Sequence, residues 1–160
     1  MSGSRVSAGG PTEHGFTLTE LVVVIVVAGI LAATVLPRFF GNHGFEERGF
    51  RDETVSALRF AQKSAIAARR TVCAAFGSNQ VSFRISTDFG AANCTAGSVL
   101  AGPKGGALVI TATGSASYSS APSAIVFDAT GRPSGQAPIT VSTLPASLAI
   151  TVESETGYVH

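Results

Sequence analysis

Glu20 stands at the head of an uncharged run, Leu21 to Leu36, that is closed by Pro37. An acidic residue at the centre of a membrane helix costs about 2.5 to 3.5 kcal/mol, less near an interface, whereas each Leu, Ile or Val gains roughly 0.3 to 0.6. Eleven such residues lie between Leu21 and Leu36, so insertion is favoured by very roughly 3 to 7 kcal/mol in spite of the acid. A carboxylate kept in such a place implies a partner that is not lipid. The chemistry to expect of it is charge pairing.

The other reactive residue types form no catalytic or metal-binding pattern. His14, His43 and His160 are scattered and no Cys-x-x-Cys spacing exists, so no metal is expected. There is no Gly-x-Ser-x-Gly elbow. Gly97 to Lys104 superficially has the look of a phosphate loop, but Pro103 removes a backbone N–H donor and Gly105 stands where a hydroxyl would ligate magnesium. Asp88 and Asp128 lie in turn-like sequence, where a carboxylate usually caps local backbone. Neither an enzyme nor a cofactor is expected. Arg59, Lys63, Arg69, Arg70 and Arg132 are the candidate phosphate contacts, but a net charge of +1 with 13% charged residues argues against a polyanionic partner. A solvated helix face is the simpler reading of Arg59, Lys63 and Arg70.

These residues need elements to position them. From Phe16 to Leu36 a helix rising ~1.5 Å per residue spans ~32 Å, close to the ~30 Å of a hydrocarbon core. The Val22–Val27 run favours strand in water, but a lone strand in lipid leaves its backbone unpaired, so helix is predicted. Pro37 and the glycines at 41, 44 and 49 should kink or partly unwind the stalk between 37 and 50. Helix resumes at about Arg51 and runs to Thr71, with Val55, Leu58, Ala61, Ala65 and Ala68 as its apolar stripe. Strands are predicted at 72–76 and 81–86 around the turn Gly77-Ser78-Asn79, and then at 108–113, 124–127, 139–141 and 147–153. Gly102 to Gly106 and Gly131 to Gly135 read as loops. The fold class is α+β, one amphipathic helix packed on an antiparallel sheet.

A plain membrane anchor leaves the Gly15-Phe16 junction unexplained, and a secretory signal lacks both a basic leader and a good processing site. The stretch Gly15-Phe16-Thr17-Leu18-Thr19-Glu20-Leu21 resembles the processing site of type IV pilins and of the pseudopilins of type II secretion. The resemblance implies that prepilin peptidase cuts after Gly15 and methylates Phe16, that Glu20 and Phe16 serve subunit assembly, and that Pro37 kinks the helix. His14 stands where the family usually has Lys or Arg.

The stretches Ala57–Ala67, Phe127–Pro133 and Ile150–His160 are similar to the subfamily of pseudopilin H and FimT-like minor pilins, with the nearest likeness to minor pilins of the mannose-sensitive haemagglutinin (MSHA) pilus. A type IV pilin-like fold is therefore implied, its long N-terminal helix kinked at Pro37 and continuing into the amphipathic helix. Residues 1–15 form a cleaved leader, 16–50 a membrane and filament-core helix with a flexible stalk, and 51–160 a globular periplasmic domain.

A literal count of Lys and Arg puts the C-terminal side in the cytoplasm, since Arg38, Arg48 and Arg51 follow the helix and only Arg5 precedes it. The resemblance implies the opposite, an inner-membrane protein with a periplasmic body, and the Ser/Thr-rich composition and two cysteines suit that compartment. There, Cys73 and Cys94 can form a disulfide, and closing a loop of about 20 residues stabilises by roughly 3 kcal/mol; two buried free thiols are the alternative.

The function implied is that of a structural subunit of an MSHA-like type IV pilus. Its partners are other pilin or pseudopilin subunits, prepilin peptidase, the inner-membrane assembly platform and the membrane itself. A secretion pseudopilin H and a FimT-like DNA-uptake subunit, with Arg59, Lys63, Arg70 and Arg132 as contacts, are the alternatives.

Overall fold

The computed structural model describes residues 17–39 and 43–160, with side chains at 17–33 and 44–160. The leader, the Gly15-Phe16 junction and Gly41 lie outside the described residues. The chain divides into two units, one reaching Gly41 and the other starting at Asn42.

The described residues of the first unit form one helix, α1, Leu18–Phe39. It starts at Thr17, whose hydroxyl accepts the backbone N–H of Glu20 at 3.2 Å while its carbonyl accepts that of Leu21 at 3.1 Å. Thr17 is thus the N-cap that satisfies an otherwise orphan donor of the first turn. The helix passes through Pro37, which therefore does not end it.

The second unit opens with α2, His43–Ala68. This corrects the expectation that helix resumes at Arg51, because Gly44 and Gly49 both lie inside it. Their helical cost of ~1 kcal/mol each is offset by what their neighbours bury. The buried positions Glu47, Phe50, Thr54, Val55, Ala57, Leu58, Ala61 and Ala65 recur at three- and four-residue steps. Ala68, expected in that stripe, is exposed.

The strands run β1 Arg70–Phe76, β2 Gln80–Phe89, β3 Gly97–Val99, β4 Val109–Thr111, β5 Tyr118–Ser120, β6 Ala124–Phe127, β7 Pro133–Ser134 and β8 Thr140–Val141. Six of them form an antiparallel sheet in the order β3-β2-β1-β6-β7, with β4 also paired to β2; β5 and β8 make a separate pair. The predicted hairpin holds, with Phe76 opposite Val81 and Gly77 donating to the Gln80 carbonyl at 2.8 Å. Alternation along the strands turns Val72, Ala74, Val81, Phe83, Ile125 and Phe127 into one core with Leu58, Ala61 and Ala65 of α2.

Two expectations fail in the C-terminal third. Instead of a strand over 147–153 there is a 3-10 turn at Ala146–Leu148, followed by isolated bridges that pair Ile139 with Ile150 and Val152 with Val159. The segment has the alternating burial of a strand, Ile150 and Val152 inside and Glu153 outside, without a ladder to belong to. Pro133–Ser134, placed in a loop, is the edge strand β7, where proline's missing donor does little harm.

A second, smaller cluster of Phe50, Ala116 and Val141 packs around Tyr118. The Tyr118 ring lies 4.7 Å from that of Phe50 and meets Phe76 edge-on at 5.5 Å. Its hydroxyl is 2.8 Å from that of Thr54, which itself donates to the Phe50 carbonyl, so tyrosine is the donor. Burial pushes the Tyr118 phenol up to about 12, because desolvation penalises the charged phenolate.

Candidate assembly segment

Along α1 every described side chain from Thr17 to Ala33 is exposed, among them Leu21, Val22, Val23, Val24, Ile25 and Ile30. A helix that is apolar on all sides and covered on none is stable only when something outside the chain surrounds it. Glu20 sits in its first turn, and its carboxylate has no hydrogen bond or ion pair with any described residue. An acid there also complements the positive end of the helix dipole. Thr17 escaped the reading of the sequence, although Thr-x-x-Glu ahead of an apolar run is a recognisable helix start.

No helix among the described residues is long and apolar enough to cross a membrane, and α1 is described with its side chains only as far as Ala33. Of the residues expected to serve assembly, only Glu20 lies within the described side chains.

Cys73, on β1, and Cys94, in the segment after β2, are bonded to each other. The bridge secures residues 90–96, which are also held by the Thr71 hydroxyl on the Ala91 carbonyl and by Arg84 on the Cys94 carbonyl at 3.3 Å.

The three body stretches singled out in the sequence meet in space. Gln62 of α2 donates through its amide to the carbonyls of Gly131 at 3.2 Å and Thr156 at 2.7 Å. Arg59 donates to the Val159 carbonyl at 2.9 Å and lies over the Tyr158 ring at 5.7 Å. Arg132 donates to the Glu155 carbonyl and pairs with its carboxylate.

Gly131 and Gly157 take positive φ angles of 84° and 68°, and a side chain on Gly157 would collide with the Gly131 carbonyl. Asp128 Oδ1 accepts from Thr130 N at 2.8 Å, Thr130 Oγ1 at 2.6 Å and Arg132 N at 3.0 Å. Burial alone would raise the Asp128 carboxyl, but the Thr130 hydroxyl and the surrounding backbone donors hold it below the usual carboxylate range.

Arg59 and Arg132 are engaged by the C-terminal segment, Arg70 stacks on the Phe89 ring at 5.1 Å, and Lys63 stands exposed on α2. Among the described residues no cluster of His, Cys, Asp and Glu could hold a metal ion.

Residues 11–36 match the family described as the prokaryotic N-terminal methylation motif. The chain is 40% identical over 60 residues to the type IV major pilin protein PilA of Myxococcus xanthus, a stretch covering 38% of this chain and 27% of that one. To the type II secretion system core protein G of Klebsiella pneumoniae it is 46% identical over 46 residues, 29% of this chain and 31% of the relative; for Escherichia coli K12 the figures are 41%, 46 residues, 29% and 30%.

The chain thus spans under a third of the length of these curated relatives. No solved structure matches it significantly. These homologues are structural proteins, not enzymes. The methylation motif at its N-terminal end, together with homology to a pilin and to secretion core proteins, supports placing the chain in the type IV pilin and pseudopilin superfamily.

Proposed function

We propose that this chain is a minor pilin or pseudopilin, cut after Gly15 by prepilin peptidase, methylated on Phe16, and moved by an inner-membrane assembly platform from the bilayer into a filament. The single observation that carries this reading is α1, apolar and uncovered from Leu18 to Ala33 with one free carboxylate in its first turn.

A 22-residue helix is ~33 Å long, enough for a hydrocarbon core of about 30 Å. Lipid surrounds it before assembly, and the equivalent helices of neighbouring subunits replace lipid afterwards. Glu20 then pairs with the free amino group of Phe16 in an adjoining subunit, an interaction strongest where water is scarce. Pro37 lacks the donor for one helical hydrogen bond and would kink α1 so that its two halves can follow the filament. The body lies in the periplasm, where the Cys73–Cys94 bridge persists.

An MSHA-like pilus is the finer assignment, resting on the stretches 57–67, 127–133 and 150–160. A secretion pseudopilus is the second reading, favoured by the likeness to core protein G. The DNA-uptake reading is disfavoured by the engagement of Arg59 and Arg132 within the fold. The decisive experiment is N-terminal mass spectrometry of the protein purified from native membranes. Methylated Phe16 as the first residue is expected, and an intact Met1 or loss of the whole apolar segment would overturn the reading.

A further inference from the structure

Phe89, at the end of β2, is 72% exposed, and the Arg70 guanidinium carbon lies 5.1 Å from the centre of its ring. An exposed aromatic already carrying a cation on one face is an anchor with an apolar body and a positive rider. The same unit holds a matching socket, a groove of about 490 Å³ between α2 and the 103–110 segment. Ala57, Phe60, Leu108 and Ile110 supply its apolar lining and Asp52 and Glu53 its acidic rim. Asp52 is occupied by Arg51 at 2.8 Å, whereas Glu53 has no ion pair among the described residues.

We propose that Phe89 and Arg70 of one copy of this chain dock into that groove of a second copy, ring against the apolar lining and guanidinium beside Glu53. Anchor and socket cannot meet within one molecule. Glu53 lies in the first half of α2, and Arg70 comes after its last residue, Ala68, about 20 Å further along the axis. Because two different surfaces meet, the contact is head-to-tail and leaves a free anchor and a free socket on the pair, so it propagates as an open series wherever the rotation between copies does not close a ring. The proposal rests on the filament-subunit reading and names where the bodies of successive subunits touch.

The test uses the full chain in its native membrane, with p-benzoylphenylalanine replacing Phe89 in one strain and Ile25 of α1 in another. After irradiation, Ile25 is expected to give adducts with neighbouring subunits, whether this chain or another pilin, and Phe89 an adduct with a second copy that maps to residues 49–60 or 103–110. Glu53→Arg should lower the Phe89 adduct about tenfold and Arg70→Glu in the same chain should restore it. Adducts from Ile25 with none from Phe89, or a Phe89 adduct elsewhere, with another protein, or indifferent to Glu53→Arg, overturn the docking and leave the filament reading standing. Loss of adducts from both positions overturns both.

Discussion

Thr17 and Glu20 divide the start of α1 between them, the hydroxyl closing the backbone and the carboxylate left without a partner among the described residues. Capping and pairing can be separated, because glutamine satisfies a capping box as well as glutamate does but carries no charge. Glu20→Gln and Glu20→Ala should both insert in the membrane at wild-type levels. Removing one member of a buried pair typically costs 3 to 5 kcal/mol, so both variants should fall at least about a hundredfold in the sheared filament fraction. Wild-type incorporation of Glu20→Gln would remove the charge of Glu20 from assembly.

Among the elements, the loop from Asp128 to Arg132 depends on the charge of its acid. Its carboxyl is held below the usual range in the folded chain, so its contribution is present above the unfolded value of about 3.9 and is lost as pH falls through the lower folded value. Asp128→Asn should cost under about 1 kcal/mol at pH 7, as befits an exposed group, and the difference should narrow as pH falls below about 3.9. Thermal unfolding of the two proteins across that range is the measurement, and a gap that ignores pH would remove the charge from the explanation.

Legibility in the sequence also sorts by element. The hairpin of β1 and β2 and the strand β6 could be read because β-branched and aromatic residues alternate there between clear turns. The first two turns of α2 could not, since Gly44 and Gly49 argue against helix while the gain from burying Phe50 against Val141 and Ala116 comes from residues far away in the chain. Of the short pair of β5 and β8, β8 was legible within 139–141, whereas β5 was hidden by its serines, one of whose hydroxyls bonds across the pair, Ser119 to Thr140 at 2.9 Å. The stretch 147–153 misled because period-two burial arises from any extended segment laid on a core. For the candidate site, Glu20 and the cysteine pair were visible as residue types, but the internal engagement of Arg59 and Arg132 needed contacts across 100 and 23 positions.

Across the whole body, the one covalent cross-link joins a central strand to the segment 90–96. Replacing both Cys73 and Cys94 by serine releases a sequence separation of 21, for which the chain-entropy relation gives about 3 kcal/mol. Denaturant unfolding of the full chain in detergent should show that loss, a large share of a typical 5 to 15 kcal/mol. A change below about 0.5 kcal/mol would mean that the hydrogen bonds of Thr71 and Arg84 already hold residues 90–96 without the bridge.

The clasp of Arg59 on Val159 spans 100 positions and that of Gln62 on Thr156 spans 94. At roughly 5 to 20 residues per second of synthesis, α2 waits about 5 to 20 s for the strap that completes its packing. Ile150, Val152 and Val159, all buried against the same core, arrive in that last interval. The body consequently cannot complete its packing until the segment from Ile150 to Val159 has been made.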